Sequence, residues 1–402
     1  MVYDVIVIGG GAAGYFYAIN LAAKNRNLKI VILEKQKTVL SKVRVSGGGR
    51  CNVTRHCFAP NELVKFYPRG AKELLPLFYG FNPAHTIEWF RERGVELKTE
   101  PDGRMFPAAN TSRAIIDCFV KEAVKYNIDV MLNTEVNDIE EASGSWKVAA
   151  ETKVYQAEKI FIGSGNSTKV WGILEKLGHS IVPPVPSLFS FMSGDNFVIG
   201  LAGLARDVSI NLAGSKLTES GALLFTHQGV SGPAVLKLSS KAARQLAAMN
   251  YQFTINVNFL INMNFDDTVS YLKNLKNAEA VRLIRLTKPF DIPQRLWEKL
   301  MLWSEINMDT KWKDCPQKKI NLLSSALTKL PLHITGKSTN KEEFVTCGGV
   351  ERKEIEWKRM ESKIAKNIFF GGEVIDVDAL TGGFNFQAAW TTAFTAADTK
   401  NR

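Results

Sequence analysis

The first fourteen residues constrain the fold of this chain more than any other stretch. Residues 5–8 are a short apolar run of β-branched residues, followed directly by a glycine-rich segment and then by an apolar run rich in alanine and aromatic residues. This order predicts a buried strand, a glycine turn and a helix. Gly9, Gly11 and Gly14 have the spacing G-x-G-x-x-G, in which glycines provide a tight turn, backbone access to a pyrophosphate and close packing of helix on strand.

An acidic residue at the end of the next apolar run narrows the choice of ligand. Residues 29–33 are strand-like and end at Glu34, about twenty residues after Gly14. A carboxylate in this position accepts hydrogen bonds from the ribose hydroxyls of an adenosine and repels a 2′-phosphate. The pattern therefore predicts FAD or NAD rather than NADP. The alternative is a glycine turn that binds no ligand. It is disfavoured because the strand, turn, helix and acidic residue follow one another at the spacing of the dinucleotide-binding motif.

The composition is that of a globular protein long enough for two or three domains. Of the 402 residues, 45% are hydrophobic and 23% are charged. The N-terminal apolar run is short and is cut by three glycines, which is not the pattern of a signal peptide. No stretch approaches the roughly 18 consecutive apolar residues of a membrane-spanning helix. We expect a cytoplasmic protein without a membrane partner.

Cysteine spacing and charge argue against a disulfide framework, a zinc site and a nucleic-acid partner. The five cysteines form no C-x-x-C pair and no Cys/His zinc spacing, so we expect reduced thiols and no metal site. The formal net charge is +11, from 51 basic and 40 acidic residues. The densest basic stretches, residues 311–319 and 352–366, are interleaved with acids and are typical of solvated surfaces. A nucleic-acid partner is therefore not expected, and the oligomeric state stays open.

A second glycine-rich segment, residues 46–52, has the sequence S-G-G-G-R-C-N. Glycines permit backbone conformations that bring N–H groups against a ligand, and Arg50 can offset phosphate charge or hold a substrate carboxylate. A flexible surface loop is the alternative. Cys51 invites a redox interpretation because a basic, glycine-rich loop lowers a thiol pKa, but no partner stands at C-x-x-C spacing.

Two later segments carry further candidates. His227 lies in a distinctive loop, residues 221–233, and is either a proton donor and acceptor at neutral pH or a structural residue. Glu373 and Asp376 follow a strand and two glycines, where they can bond the ribityl hydroxyls of a flavin. Residues 381–390 begin a helix at two glycines, and its N-terminus can stabilise the negative charge of a reduced flavin.

The order of these segments predicts a discontinuous domain. Residues 1–187 and 337–402 would form the nucleotide-binding part, and residues 188–336 an inserted domain that is β-rich with a helical subdomain. A proline run at residues 183–186 marks the first boundary.

Seven motifs occur together and in order along the chain. They are G-G-G-A-A-G at 9–14, S-G-G-G-R-C-N at 46–52, F-T-H-Q-G-V-S-G-P at 225–233, T-C-G-G-V at 346–350, M-E-S-K at 360–363, G-G-E-V-I-D-V at 371–377 and T-G-G-F-N-F-Q-A-A-W at 381–390. The set resembles the bacterial YhiN/BaiN-type flavoproteins, which include aminoacetone oxidase. The resemblance implies an α/β fold: a glutathione-reductase-like Rossmann FAD-binding domain interrupted by a β-rich and a helical insertion.

The resemblance implies, position by position, which residues form the FAD site. Gly9, Gly11, Ala12, Ala13 and Gly14 would face the pyrophosphate, Glu34 the ribose and Val136 the adenine through its backbone. The other expected members are Lys35, Arg50, Cys51, Asn52, Gly163, Gly372, Glu373, Asp376, Gly383, Asn385, Phe386 and Gln387. Candidates for catalysis are Arg50 and His227. One departure from the family pattern is a shortened loop after Gly165, which puts any substrate role of that loop in doubt.

The predicted function is that of an FAD-dependent oxidoreductase that passes a hydride between a small organic substrate and flavin N5. Only one G-x-G-x-x-G is present, so a separate NADPH domain is disfavoured. Either NAD(P)H visits the flavin transiently or oxygen is the acceptor, and the sequence does not choose between a reductase of unsaturated carbonyl compounds and an oxidase of small amines. The alternative class is a redox sensor or an RNA-linked flavoprotein of the tRNA-modification type.

Overall fold

The structure, a computed structural model, describes residues 1–151, 153–338 and 345–398. It divides into two compact units. We call Met1–Val185 with Val345–Arg402 the discontinuous unit, and Pro186–Phe344 the inserted unit. None of the helices in the described residues has the length and apolar character needed to cross a bilayer.

The described residues form twenty-one strands and thirteen α-helices. The strands are β1 (Val2–Ile8), β2 (Ile30–Leu33), β3 (Thr54–Arg55), β4 (Leu97–Thr99), β5 (Arg104–Pro107), β6 (Asp129–Met131), β7 (Val136–Ala142), β8 (Ser145–Ala150), β9 (Lys153–Ile162), β10 (Ile181–Ser187), β11 (Phe191–Met192), β12 (Ala205–Leu212), β13 (Thr218–Thr226), β14 (Gly229–Ser231), β15 (Phe253–Asn258), β16 (Leu330–Ile334), β17 (Gly336–Lys337), β18 (Val345–Val350), β19 (Ile355–Glu356), β20 (Glu361–Ser362) and β21 (Ile368–Phe370). The α-helices are α1 (Ala12–Lys24), α2 (Ser41–Gly49), α3 (Pro60–Leu63), α4 (Ala71–Gly80), α5 (Pro83–Arg91), α6 (Arg113–Lys125), α7 (Thr168–Lys176), α8 (Pro233–Lys241), α9 (Ala243–Ala248), α10 (Phe265–Ala278), α11 (Gln294–Trp303), α12 (Gln317–Lys329) and α13 (Phe384–Ala397).

A parallel sheet forms the centre of the discontinuous unit. Its strands run in the order β21-β9-β1-β2-β6, with β1 in the middle. In this register Ile6 pairs with Val31 on one side and with Ile160 on the other. Every residue of β2 is buried, as expected for a parallel strand covered on both faces. The strand, turn and helix predicted for the N-terminus are confirmed by β1 and α1.

Helix α1 is buried almost all round because its aromatic and alanine side chains pack on every side. It lies against the sheet, α6 and α13. Phe16 stands 5.2 Å from the ring of Trp390 and 4.6 Å from that of Trp89, measured between ring centroids. Full burial of such an aromatic side chain contributes about 1.5–3 kcal/mol. This packing joins α1 to α5 and α13.

The inserted unit is built on a seven-stranded antiparallel sheet. The strand order is β16-β15-β12-β13-β14-β11-β17. Helices α10, α11 and α12 form its helical part, with Trp297 and Trp312 fully buried between them. The predicted combination of β-rich and helical parts therefore matches the elements of this unit.

Three local segments bear on the sequence-based expectations. The shortened loop after Gly165 is followed at once by α7, whose N-terminus Ser167 caps through a 3.4 Å hydrogen bond from Val170 N to Ser167 Oγ. In the basic stretch at 311–319, which leads into α12, Lys311, Lys313 and Lys318 are exposed, as expected for a solvated surface. The expected glycine loop at 46–52 overlaps α2, whose helical dihedral angles break at Ser46.

Candidate functional site

The main cleft of the discontinuous unit has a volume of about 540 Å³ and lies where four parallel strands end. Gly371, Gly163, Gly9 and Glu34 directly follow β21, β9, β1 and β2. Open α/β sheets bind ligands at the carboxyl ends of their strands. The lining residues are Gly9, Gly11, Ala12, Ala13, Glu34, Lys35, Gln36, Thr38, Leu40, Ser41, Lys42, Val43, Gly163, Ser164, Gly165, Asn166, Ser167, Gly371, Gly372, Glu373, Val377, Asn385, Phe386, Ala388, Ala389 and Thr392.

The glycine turn leaves space on the cleft side and none on the protein side. A Cβ on Gly9, whose φ is +108°, would lie 2.6 Å from Gly163 O, and a Cβ on Gly14 would lie 2.0 Å from Gly9 O. A Cβ on Gly11 would meet only Gly163 O, at 4.0 Å. Gly11 therefore opens towards the cleft, with the first N–H groups of α1 beside it. This is an anion-binding arrangement because helix N-terminal N–H groups lack intrahelical acceptors.

Glu34 is held in place by the backbone. Its Oε2 accepts a hydrogen bond from Gly10 N at 2.8 Å, and its Oε1 accepts one from Gln36 N at 2.8 Å. Each carboxylate oxygen keeps a second acceptor position for a ribose hydroxyl.

A buried hydroxyl gives an independent test of whether a ligand fits. Ser164 Oγ is buried and has no hydrogen-bond partner within the part of the chain that the structure describes. Buried polar atoms are normally hydrogen-bonded, so an unpaired one on a cleft wall indicates a missing partner. Ser164 also lines an adjoining pocket of about 50 Å³, together with Val136 and Lys169. The Ser164 hydroxyl, the open side of Gly11 and the carboxylate of Glu34 fit a dinucleotide such as FAD.

A polar network crosses the mouth of the cleft. Lys42 Nζ forms an ion pair with Glu373 Oε2 and donates to Asn166 Oδ1 at 3.3 Å. Glu373 Oε1 accepts from Thr346 N at 3.0 Å, and Asn166 Nδ2 donates to Thr346 Oγ1 at 3.0 Å. The network orients Glu373 at the cleft and joins the shortened loop to it. Since the Lys42 side chain is 57% exposed, solvent screens the ion pair and its contribution to stability is small.

The start of α13 forms the opposite wall. Gly383 has φ +91°, and a Cβ there would lie 2.5 Å from Thr54 O. In the amide orientation that satisfies both groups, Asn52 accepts from Gly383 N and donates to Thr54 O, each at 3.0 Å. Asn385 Oδ1 accepts from Ala379 N at 2.9 Å, and Asn385 Nδ2 donates to Ala379 O at 3.2 Å. The two asparagines therefore anchor the helix N-terminus to its neighbours.

A buried ion pair fixes the loop before α13. Both carboxylate oxygens of Asp378 accept from the Arg69 guanidinium, and both side chains are almost fully buried. Arg352 Nε stands 3.4 Å from the buried Asp376 Oδ2. Removing one member of a buried pair costs about 3–5 kcal/mol, because a charge is left unpaired. Val377, between the two acids, is thereby held on the cleft wall.

The structure brings most of the predicted site residues to the cleft or the adjoining pocket. Eleven line the main cleft, and Val136 lines the smaller pocket. Seven predicted members of the discontinuous unit are not among the lining residues: Gly14, Arg50, Cys51, Asn52, Asp376, Gly383 and Gln387. Gln387 is fully buried, and its Oε1 accepts from Thr54 Oγ1 at 2.6 Å and from Thr86 Oγ1 at 2.9 Å.

Cys51 and Arg50 are engaged within the protein. Cys51 is fully buried, and burial raises the pKa of its thiol to about 12 in spite of a hydrogen bond with Ser46 that lowers it. The thiol is therefore protonated at neutral pH, which argues against a reactive thiolate. The Arg50 guanidinium lies 4.0 Å from the ring centre of Phe106, and its NH1 is 3.2 Å from Glu100 Oε1.

The other catalytic candidate, His227, is exposed in the turn between β13 and β14 of the inserted unit. Among the described residues, no group of three His, Cys, Asp or Glu side chains is arranged to hold a metal ion.

Sequence reasoning missed several cleft residues. Ser164 and Asn166 directly follow β9, so the rule that ligands bind at the carboxyl ends of strands was a usable signal for them. Thr392 reaches the cleft from α13, and no local motif marks it.

Comparison with known proteins assigns the family. Residues 3–399 match the sequence model of a family described as HI0933-like protein Rossmann domain. The chain belongs to this HI0933-like family. A ribosomal RNA dihydrouridine synthase of Haemophilus influenzae is 28% identical, over 98% of this chain and 97% of the relative. A 3-dehydro-bile acid Δ(4,6)-reductase of Clostridium scindens is 23% identical, over 97% of each chain.

Membership of the HI0933-like family confirms the resemblance and the fold class derived from the sequence: a Rossmann-like FAD-binding domain with an inserted domain. The protein is an FAD-dependent oxidoreductase. The solved 3-ketosteroid-Δ4-(5α)-dehydrogenase of Rhodococcus jostii shares the fold, with a TM-score of 0.51 and 11% identity over 99% of this chain and 97% of that one.

Proposed function

We propose that this protein reduces the C5=C6 double bond of a uridine base in ribosomal RNA and so forms dihydrouridine. One observation carries the proposal: the similarity to the ribosomal RNA dihydrouridine synthase spans 98% of this chain and 97% of the relative. The similarity therefore includes the inserted unit as well as the nucleotide cleft. The dispersed basic residues led to the expectation that no nucleic acid is a partner, and an RNA substrate departs from it. An RNA substrate agrees instead with the alternative class, an RNA-linked flavoprotein.

The chemistry is hydride addition to an activated double bond. A carbon–carbon double bond conjugated to a carbonyl accepts hydride at its β carbon and a proton at its α carbon. In uracil these carbons are C6 and C5, conjugated to the C4 carbonyl. Bound FAD supplies the hydride from N5 in its reduced form. With NADH or NADPH as the proposed reductant, uridine, NAD(P)H and one proton give dihydrouridine and NAD(P)⁺.

The chain's own residues bind and orient the cofactor. The backbone N–H groups beside Gly11 would hold the pyrophosphate, and Glu34 would accept from the ribose hydroxyls. The unpaired Ser164 hydroxyl would bond to the cofactor at the cleft wall. Glu373, oriented by Thr346 N, would accept from the ribityl hydroxyls.

The reaction also needs a proton for C5. His227 is the proposed donor because its side chain is exposed and histidine is the most common general acid in enzymes. The Arg50 guanidinium donates to Glu100 and lies over the Phe106 ring. These contacts suit a role in positioning neighbouring groups more than a role in proton transfer.

A second candidate is reduction of a small unsaturated carbonyl compound. It is favoured by the similarity to the bile acid reductase, which is 23% identical over 97% of each chain. A double bond at position 4 of a 3-oxo steroid is conjugated to the carbonyl, so the two candidate substrates share one reaction class. They differ in size and charge, since only RNA carries phosphates.

The test is direct detection of the product. The FAD-loaded protein is incubated anaerobically with NADPH or NADH and with unmodified ribosomal RNA made by transcription. The RNA is then digested, and dihydrouridine is measured by mass spectrometry. We expect dihydrouridine at defined uridines, dependent on the reductant, and none with a Gly11→Val variant that lacks FAD.

Parallel reactions contain a 3-oxo-4-ene steroid or a small primary amine in place of RNA. Steroid reduction without dihydrouridine formation would replace the RNA substrate by a small enone. Rapid flavin reduction by the amine, with hydrogen peroxide formed on admitting air, would replace the reductase by an oxidase.

A further inference from the structure

A second cavity, of about 310 Å³, lies wholly within the inserted unit. Helix α11, the 3-10 turn Ile284–Leu286 and the segment before β12 form its walls. The lining residues are Gly200, Leu201, Arg285, Arg295, Glu298, Lys299, Leu302 and Met308. None of these residues has a part in the FAD site or in the proposed hydride chemistry.

Two cations project from one face of α11. Arg295, Lys299 and Leu302 follow the i, i+4, i+7 spacing that aligns side chains along a helix. Arg295 NH1 donates to Gly200 O at 3.1 Å, and Lys299 Nζ donates to Asn196 O at 3.2 Å. These bonds hold both cationic groups at the cavity and leave other N–H donors of each group for a ligand.

A third cation faces the same cavity. Arg285 NH2 stands 3.5 Å from Asp309 Oδ1, but Asp309 is 82% exposed, so solvent screens this pair. Arg285 Nε is buried and has no hydrogen-bond partner within the described residues. Glu298 is the single carboxylate of the lining, and its Oε1 accepts from Gln294 Nε2 at 2.6 Å. The lining thus has an excess of positive charge.

The rest of the cavity lining is apolar. Leu201, Leu302 and Met308 supply this surface, against which the ring of a base can pack.

We propose that this cavity binds one nucleotide of the RNA substrate, with the phosphate on Arg285, Arg295 and Lys299. The inference rests on the proposed function and adds a substrate-binding site remote in sequence from the FAD motifs. Arginine and lysine are the residues that recognise phosphate, and the Glu298 carboxylate can accept from a base N–H group. The volume is at the lower end of the roughly 300–1,000 Å³ of ligand pockets, as a single nucleotide requires.

The experiment measures RNA binding separately from catalysis. Fluorescence anisotropy follows binding of a labelled oligouridylate of about twelve nucleotides to the FAD-loaded protein at several salt concentrations. The cavity variant is Arg295→Gln with Lys299→Gln. The matched control is Lys216→Gln with Lys273→Gln, which removes the same charge from two exposed lysines of the inserted unit outside the cavity lining. Arg285→Gln is a second cavity variant that leaves the bonds to Gly200 and Asn196 intact.

We expect both cavity variants to bind RNA about tenfold or more weakly, with a salt slope reduced by about 0.7 for each phosphate that the variant no longer neutralises. The control variant should change affinity by less than about twofold. FAD content and melting temperature verify that each variant is folded. Equal affinities of the cavity variants and the control would overturn the inference.

Two further arms separate the possible outcomes. The KM for NADPH is measured for every variant. An increase in this KM with unchanged RNA affinity would mean that the cavity binds the phosphate of a dinucleotide instead, which overturns the inference.

Dihydrouridine formation is measured in parallel. RNA binding that depends on the cavity but yields no dihydrouridine would refute the proposed function alone, whereas dihydrouridine formation with unchanged affinity of the cavity variants would refute this inference alone. A wild-type protein that neither binds nor modifies RNA would refute both.

Discussion

At the scale of one residue, a substitution at Gly11 should abolish cofactor binding without preventing folding. Its backbone has φ −92° and ψ −167°, which any residue adopts, and a Cβ there meets only Gly163 O at 4.0 Å. The Gly11→Val variant should therefore fold but fail to bind FAD, since the branched side chain would fill the space beside the first N–H groups of α1. The measurement is flavin absorbance per protein after reconstitution, with melting temperature as the check on folding.

The control for this prediction is Gly172→Val. Gly172 lies in α7, and a Cβ there meets nothing within 4 Å. This variant should retain FAD. Stoichiometric FAD in Gly11→Val would mean that the pyrophosphate does not pass Gly11.

His179 gives a prediction about pH. Its Nδ1 is 3.1 Å from Glu354 Oε2 and its Nε2 is 3.0 Å from Ser362 Oγ, in a buried contact. Burial lowers the imidazole pKa below its usual 6.5 and outweighs the hydrogen bond with Glu354, which raises it. Desolvation raises the pKa of Glu354, but the hydrogen bonds from Ser180 and His179 outweigh it, and the net shift is downward. Its carboxylate therefore stays ionised while His179 titrates.

The sign of the effect follows from these shifts. Between the folded pKa of His179 and 6.5 the unfolded chain binds more protons than the folded one, so the free energy of unfolding falls as the pH decreases through that window. The His179→Gln variant lacks this titration and should lose less stability between about pH 7.5 and about pH 5.5. Urea denaturation of both proteins at the two pH values measures the difference. Equal losses would show that His179 does not titrate on unfolding.

At the scale of elements, α13 places a helix N-terminus at the cleft. Phe386, Ala389 and Thr392 of this helix line the cleft. If the flavin ring faces this end, the helix dipole stabilises the anionic reduced flavin by about 0.3–1 kcal/mol, or up to about 2 kcal/mol when partly buried. The Asn385→Asp variant adds a negative charge there and should lower the reduction potential, as measured by potentiometric titration at full FAD occupancy.

Asn385→Ala is the matched control for the helix prediction. It removes the bonds of Asn385 to Ala379 N and O without adding charge. Aspartate keeps an oxygen that can accept from Ala379 N, so the two variants differ in the added charge and in that one bond. A potential of Asn385→Asp equal to or above that of the control would place the flavin away from this helix.

Helices α5 and α12 show when a local sequence pattern is sufficient to recognise a helix. Asn82 followed by Pro83 is a pair typical of a helix start, and the structure has Asn82 as the N-cap of α5, with a 2.9 Å hydrogen bond from Ala84 N to Asn82 Oδ1. Capping is local, so the sequence carries it. Helix α12 is harder to recognise locally, because lysines dominate its first turn and its apolar face packs into the core of the inserted unit.

At the scale of the whole molecule, the proposed proton donor His227 leads to a prediction about turnover. The His227→Asn variant should lower kcat by about 10²–10⁴-fold, the contribution of a general acid, while FAD content and anaerobic reduction of the flavin by NADPH stay unchanged. His333→Asn is the control, since His333 is an exposed histidine of the same unit that contacts Asp195. Unchanged turnover in His227→Asn would assign the proton to another group.

The sequence alone determined the class of this protein. A β-branched run, three spaced glycines and an acid about twenty residues later define a dinucleotide-binding unit, because each acts through local backbone geometry. Seven motifs in order were enough to identify the family, the α/β fold with its insertion and the FAD-dependent chemistry.

Only the tertiary structure decided which side chains face the cleft. Cys51 and Gln387 lie in motif segments, yet both are fully buried, whereas Lys42 and Ser164 outside the predicted set line the cleft. The cavity of the inserted unit likewise joins residues from the segment before β12, the 3-10 turn and α11. The physical reason is that side-chain burial depends on contacts between segments far apart in sequence, which local spacing does not encode.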